Sequence, residues 1–137
     1  MNKFFLDAAY AIALSAVTGQ YHQKAEILSR QIETEAISLI TTRAVVLEIG
    51  NALAKLRYRD AAIKLLDSLE EDPNVEIIPL SEELYSQARE LYRQRPDKEW
   101  GITDCISFVV MQNYGLSDAL TTDEHFNQAG FKALLIN

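Results

Sequence analysis

From Ile102 to Met111 the apolar residues Ile102, Cys105, Ile106, Phe108, Val109, Val110 and Met111 leave only a narrow polar strip, Thr103, Asp104 and Ser107. A helix with that pattern is buried nearly all round, so the remainder of the chain has to be built around it. The same helix carries an acid, Asp104, in its first turn. A desolvated carboxylate costs roughly several kcal/mol unless it is compensated. Two sources of compensation are open: the helix N-terminal amides with their dipole, or a bound cation.

Outside this helix, short apolar runs alternate with helical segments. Lys3–Leu6 reads as a buried strand ending on Asp7, followed by helices over Ala8–Val17 and Gln20–Glu35. Ala36–Ile40 reads as a second strand, and Thr41 or Thr42 caps a helix running to about Lys55 or Leu56. A helix over Asp60–Glu70, a strand over Val75–Leu80 and a helix from Ser81 to near Arg95 come next. After the central helix and the turn at Asn113-Tyr114-Gly115, a strand over Asp118–Thr122, a short helix over Asp123–Gln128 and a strand over Lys132–Ile136 complete the chain. Strict alternation of this kind predicts an α/β fold with a mainly parallel central sheet flanked by helices. In such sheets ligands bind outside the carboxyl ends of the strands. The 137 residues suffice for one domain and are too few for two ordinary ones.

A net charge of −7 argues against a simple nucleic-acid binder, but acids gathered in one pocket and neutralised by metal make the whole-chain charge a poor guide to the local field. The opening Met-Asn-Lys-Phe-Phe-Leu-Asp is not read as a signal peptide, because Asp7 interrupts the apolar stretch. No run approaches a membrane span, so no membrane partner is expected. A single cysteine, Cys105, excludes an intrachain disulfide and favours a reducing, cytoplasmic location.

Four acids fall near the expected binding edge. Asp7 follows the first strand, Asp104 heads the central helix, and Asp123 follows the Asp118–Thr122 strand. Glu48 lies about two turns into the helix after the second strand, flanking a core stripe of Val45, Ile49, Ala52 and Leu56 and pointing back toward the strand ends. Each acid has an ordinary structural explanation: a strand-end turn for Asp7, helix capping for Asp104 and Asp123, and a solvent-edge position for Glu48. All four at one edge call for a common cause. Converging carboxylates repel one another strongly at low dielectric, and a hard divalent cation with oxygen ligands, Mg²⁺ or Mn²⁺, is the simplest relief. The lack of a His or Cys ligand pair argues against zinc. Such a site can activate water on a phosphodiester. Asp118 is a possible fifth member, His125 reads as a structural hydrogen-bonding residue, and Thr121 and Thr122 default to strand formers. No Ser-His-Asp arrangement, Gly-rich phosphate loop or activated Cys105 is evident.

The stretches Phe5-Leu6-Asp7-Ala8-Ala9-Tyr10, Thr42 to Leu53, Trp100 to Phe108 and Leu120-Thr121-Thr122-Asp123-Glu124-His125-Phe126 resemble, in order, the four motifs of the PIN-domain nuclease family. The likeness extends over essentially the whole chain, residues 1–137, as a single PIN-like domain with a three-layer sandwich. It implies a metal-dependent single-strand ribonuclease of the VapC-type toxin subgroup, usually dimeric and held inactive by a small antitoxin protein. Carried over residue by residue, the catalytic and metal-binding acids are Asp7, Glu48, Asp104 and Asp123. Ala8 departs from the pattern, since many members place a hydroxyl residue there. The partner the resemblance implies is a single-stranded or structured RNA, with Arg43 and the Arg93–Lys98 stretch as the expected contacts to its backbone. Two other readings remain open at this point: a catalytically weak PIN-like protein-interaction module, and a phospho-acceptor receiver domain. The latter needs a paired acid after the first strand, where Asp7 stands alone.

Overall fold

The computed structural model describes residues 2–136. Among them, five strands and seven helices follow one another as β1 (Lys3–Leu6), α1 (Ala8–Ser15), α2 (His22–Thr34), β2 (Ser38–Thr42), α3 (Arg43–Ala52), α4 (Leu56–Glu71), β3 (Val75–Ile78), α5 (Glu82–Gln94), α6 (Ile102–Asn113), β4 (Asp118–Leu120), α7 (Glu124–Gln128) and β5 (Lys132–Ala133). The strands form one sheet in the order β3-β2-β1-β4-β5, and every pairing is parallel. The α/β class and the parallel sheet are therefore as expected. The chain leaves β1 toward β2 on one side and returns on the other side to β4, so the crevice between β1 and β4 is a topological switch point, where α/β sheets open a cleft beyond the carboxyl ends of their strands.

Several boundaries differ from expectation for identifiable reasons. Ala36 adopts a left-handed backbone with φ 53, costly for a residue with a Cβ, so the chain turns there and β2 begins at Ser38 instead of Ala36. The strand runs on to Thr42, whose hydroxyl accepts the Val45 N–H at 3.1 Å as the cap of α3. Pro79 has no N–H for a ladder, and β3 stops at Ile78. The helix after β2 ends at Ala52 rather than at Lys55 or Leu56, and α4 starts earlier, at Leu56 instead of Asp60. Between them Arg59 donates from Nε and Nη2 to the Ala54 carbonyl, which fixes the turn. The expected core stripe is corrected accordingly. Val45 and Ile49 are fully buried, but Leu53 takes the third place, while Ala52 is exposed and Leu56 is 93% exposed.

Helix α6 is buried from Cys105 through Met111. It packs along α5 on one side and touches α3, β2 and α7. An aromatic cluster fastens the segments at its head. The Phe108 ring meets Trp100 edge-on at 4.9 Å and Phe126 at 5.0 Å, and lies 5.8 Å from Phe131. Trp100 Nε1 donates to Gln128 Oε1 at 3.0 Å. Edge-to-face contacts of this kind add about 0.5–1.5 kcal/mol each beyond area burial. Their structural result is that α7 and the 95–101 segment are held against the first turns of α6. At the other end of that helix, Gly115 turns the chain into β4 with φ +66, a conformation glycine adopts without steric cost. No helix among the described residues is long and apolar enough to cross a membrane.

Candidate active site

Asp7 stands at the carboxyl end of β1, and its N–H extends the ladder by donating to the Leu120 carbonyl at 3.3 Å. The side chain turns into the crevice. There Oδ2 accepts the Thr121 hydroxyl at 2.7 Å, and the same hydroxyl oxygen accepts the Asp123 N–H at 3.0 Å. Thr121 is fully buried. One hydroxyl thus ties the acid after β1 to the backbone of the acid after β4. Asp123 Oδ1 accepts the His125 N–H at 2.8 Å, capping α7.

Asp104 enters from the first turn of α6. Its Oδ2 accepts the Gly101 N–H at 3.1 Å, half of a capping box, since Gly101 has no side chain to return the bond. The same oxygen lies 3.0 Å from His125 Nδ1, and that nitrogen is 3.4 Å from Asp123 Oδ1. The ordinary capping roles of Asp104 and Asp123 are therefore real, and they coexist with convergence. Asp104, Asp123 and His125 offer ligand atoms that all lie within 4.8 Å of one another.

Electrostatics draw Asp7 and Glu48 into the same group. Burial pushes the Asp7 carboxyl up to about 6 despite hydrogen bonds from Thr121 and the Ala8 backbone, and the charges of Asp104 and Asp123 raise it further. Glu48 is pushed up to about 7, first by desolvation of its carboxyl and then by the charges of Asp7, Asp104 and Asp123. Glu48 as a residue is exposed, and its carboxyl still feels the charges of the other three acids. Hydrogen bonds through Thr121 and His125 thus link Asp7, Asp123 and Asp104 at the switch-point crevice, while Glu48 is tied to them by the charge effect on its carboxyl alone. Asp118 sits at the start of β4, the opposite end of that strand.

Two residues matter more here than their sequence context suggests. His125 makes the cluster less purely acidic than expected, although it is still one imidazole and not a ligand pair. Thr121 is a connector between two acids and not only a strand former. Its signal in the sequence, a Thr two residues before an Asp at a strand end, is common to many turns. Thr121→Val keeps the shape but removes the hydroxyl from both partners. The expected result is a folded protein destabilised by about 1–3 kcal/mol, with any activity of the site reduced about 10–100-fold, as when an outer partner of a metal-binding carboxylate is lost. Urea unfolding and cleavage rates measured on one preparation check both parts.

Arg43, expected at the rim as an RNA contact, is ion-paired with Glu70 of α4. Both side chains are nearly half exposed, so the pair contributes little to stability, but its guanidinium is already engaged. Cys105 is buried, and burial together with Asp104 pushes its thiol up, away from nucleophilic character.

The PIN domain family model matches residues 4–132. The chain belongs to the PIN domain family. Among solved structures, this PIN domain is similar to VapC20 of Mycobacterium tuberculosis, described as a toxin that cleaves the sarcin–ricin loop, with a TM-score of 0.81 and 22% identity over 93% of this chain and 95% of that one. It is also similar to FitAcB from Neisseria gonorrhoeae, with a TM-score of 0.62 and 21% identity over 95% and 94% of the two chains. At these identities the likeness establishes the fold. No sequence among curated proteins matches significantly.

Proposed function

We propose that this PIN domain is a divalent-metal-dependent endoribonuclease and the toxin of a toxin–antitoxin pair, acting in the cytoplasm as a single-domain homodimer restrained by a small antitoxin protein. The observation that carries the reading is the convergence of Asp7, Asp104 and Asp123 from three separate elements, joined through the Thr121 hydroxyl and the His125 imidazole, with burial and neighbouring charge lifting Asp7 to about 6 and Glu48 to about 7. Three partly buried carboxylates at one strand edge, with Glu48 at their border, form an oxygen donor set suited to Mg²⁺ or Mn²⁺. Asp7, Glu48 and Asp104 would hold the principal ion, and Asp123 would complete the site or hold a second, weaker one. A divalent ion there supplies Lewis acidity toward a phosphodiester and lowers the pKa of water.

The chain's own residues do the positioning. The Thr121 hydroxyl orients Asp7 and fixes the backbone at Asp123. The Gly101 N–H orients Asp104, whose Oδ2 also lies within hydrogen-bond distance of His125 Nδ1. Toxin character is supported by the likeness to VapC20, a toxin that cleaves the sarcin–ricin loop, whose fold this chain shares over nearly its full length. Asp104→Asn retains the shape and the Gly101 contact but removes the charge. Loss of cleavage of a single-stranded RNA in Mg²⁺ or Mn²⁺, with unchanged circular dichroism, is the expected result. Full activity of this variant would overturn the assignment.

A further inference from the structure

Beside the acidic crevice runs a groove of about 720 Å³ between the end of α5 and the head of α6. Its walls carry Arg89, Arg93, Arg95 and Lys98 against one carboxylate, Glu99. In a chain of net charge −7 this is a local inversion of sign, and it lies next to the proposed site. Gly101 and Cys105, which line the groove, flank Asp104 in sequence. Lys98 and Glu99 also line a smaller hollow of about 270 Å³, together with Asp97, His125 and Gln128. The 98–99 segment is thus shared by the groove and by the hollow beside the imidazole that lies against Asp104 and Asp123.

The cations differ in what they can offer. Arg95 donates from Nε and Nη2 to the two carboxylate oxygens of Asp97, both at 3.0 Å, and its guanidinium carbon sits 5.1 Å above the Trp100 ring. With its charge already answered by Asp97, Arg95 is a poor phosphate anchor. What it retains is a flat guanidinium whose inner face covers the buried Trp100 ring, 6% exposed, and whose outer face, on a side chain 39% exposed, is a surface on which a nucleobase stacks. Tyr92, 54% exposed, stands on the same groove. Arg89 and Lys98 are left for phosphates, as is Arg93, whose 3.4 Å contact to Glu90 is an exposed pair of little strength.

We propose that this groove is a nucleobase subsite, in which an unpaired nucleotide of the RNA strand stacks on the Arg95–Trp100 layer and against Tyr92 while Arg89, Arg93 and Lys98 track its phosphates. The inference rests on the ribonuclease reading and adds to it the place where an unpaired base is held, a place closed to a base inside a duplex, which presents no free face. Stacking tolerates any base, so the subsite selects strandedness and not sequence.

Trp100 is the chain's single tryptophan, which makes the groove directly observable without catalysis. The intact protein in EDTA is titrated with a single-stranded oligoadenylate and with the same strand in a duplex. Trp100 emission reports the groove, and the anisotropy of a labelled strand reports total binding. Saturable quenching by the single strand and not by the duplex is expected. Affinity for the single strand should fall roughly tenfold in Tyr92→Ala and in Arg95→Lys, the size of one lost base-stacking contact. Because Arg95→Lys keeps the charge, its salt dependence should match that of the unchanged protein.

The subsite is overturned if both variants bind like the unchanged protein, if strand and duplex quench alike, or if Trp100 is silent while anisotropy saturates. It is equally overturned if no oligonucleotide binds and only a protein partner alters Trp100. A parallel cleavage assay in Mg²⁺ and Mn²⁺ separates the two claims. Cleavage with a silent Trp100 removes the subsite alone. Quenching as expected without cleavage at either metal removes the nuclease reading and leaves the base-binding groove standing.

Discussion

Asp7→Asn is expected to abolish RNA cleavage and, at neutral pH, to make the metal-free protein more stable than the unchanged one. Both effects follow from the same carboxylate. Asp7 lies at the carboxyl end of the central strand, and burial is the largest cause of its elevation from 3.8 to about 6. An acid carried from its ordinary value to about 6 holds roughly 3 kcal/mol of unfavourable free energy when it is forced to ionise in the fold. Asparagine keeps an oxygen for the Thr121 hydroxyl, which donates to Asp7 at 2.7 Å, and removes the charge. Its amide must still find a partner, so the net gain should be about 1–2 kcal/mol, read as a melting temperature higher by several degrees. On the activity side, losing an outer partner of a metal-binding residue typically costs about 10–100-fold, and loss of Asp7 itself should exceed that. A variant that is inactive and less stable would mean that Asp7 is a structural cap. One that is active would remove the site.

Much of this arrangement is legible in the sequence because its determinants are local. The alternation of apolar runs and helical segments gives the parallel sheet, and a parallel sheet places its strand-end acids on one edge by geometry alone. Asp7 and Asp123 could therefore be placed from strand positions, and Asp104 from the head of a helix that had to be buried. Glu48 was harder. Its helix presents Leu53 and not Ala52 or Leu56 to the core, so the assumed stripe was rotated. Glu48 is exposed as a residue while its carboxyl is desolvated and raised by the other acids, a combination no periodicity argument describes. The engagement of Arg43 with Glu70 was out of reach for the same reason: it depends on how α4 lies beside α3, a tertiary fact. His125 was assigned a hydrogen-bonding role from its neighbours, but its two carboxylate partners come from different elements. Ala36 shows the limit most simply, because nothing in Thr34-Glu35-Ala36-Ile37 announces a left-handed residue where glycine would be usual.

Stability of the metal-free protein should fall as pH rises from about 4 to about 7, and Mg²⁺ or Mn²⁺ should cancel that fall. Asp7 and Glu48 both have folded-state values above their ordinary ones, about 6 against 3.8 and about 7 against 4.5. The native state therefore holds these protons more tightly than the unfolded chain. Wherever the native state binds more protons, stability decreases with increasing pH. The contribution is fully present below pH about 4, declines through the window, and is lost once both carboxyls have ionised in the fold. Asp7 accounts for roughly 3 kcal/mol of the change; Glu48, exposed as a residue, adds less because solvent screens it. A divalent ion reverses the balance by favouring the ionised carboxylates, so its binding releases protons and strengthens with pH. At about 100 times its dissociation constant it would return roughly 2.7 kcal/mol. Melting curves from pH 4.5 to 8, in EDTA and in millimolar Mg²⁺ or Mn²⁺, check this, with Asp7→Asn as the control that removes Asp7 together with its share of the Glu48 elevation. The metal-free protein should lose stability with pH more steeply than Asp7→Asn does, and the metal-induced shift should grow with pH in the unchanged protein and shrink in the variant. Parallel slopes for the two proteins in EDTA would show that Asp7 ionises in the fold as freely as in water, and the crevice would then have no electrostatic need for a cation.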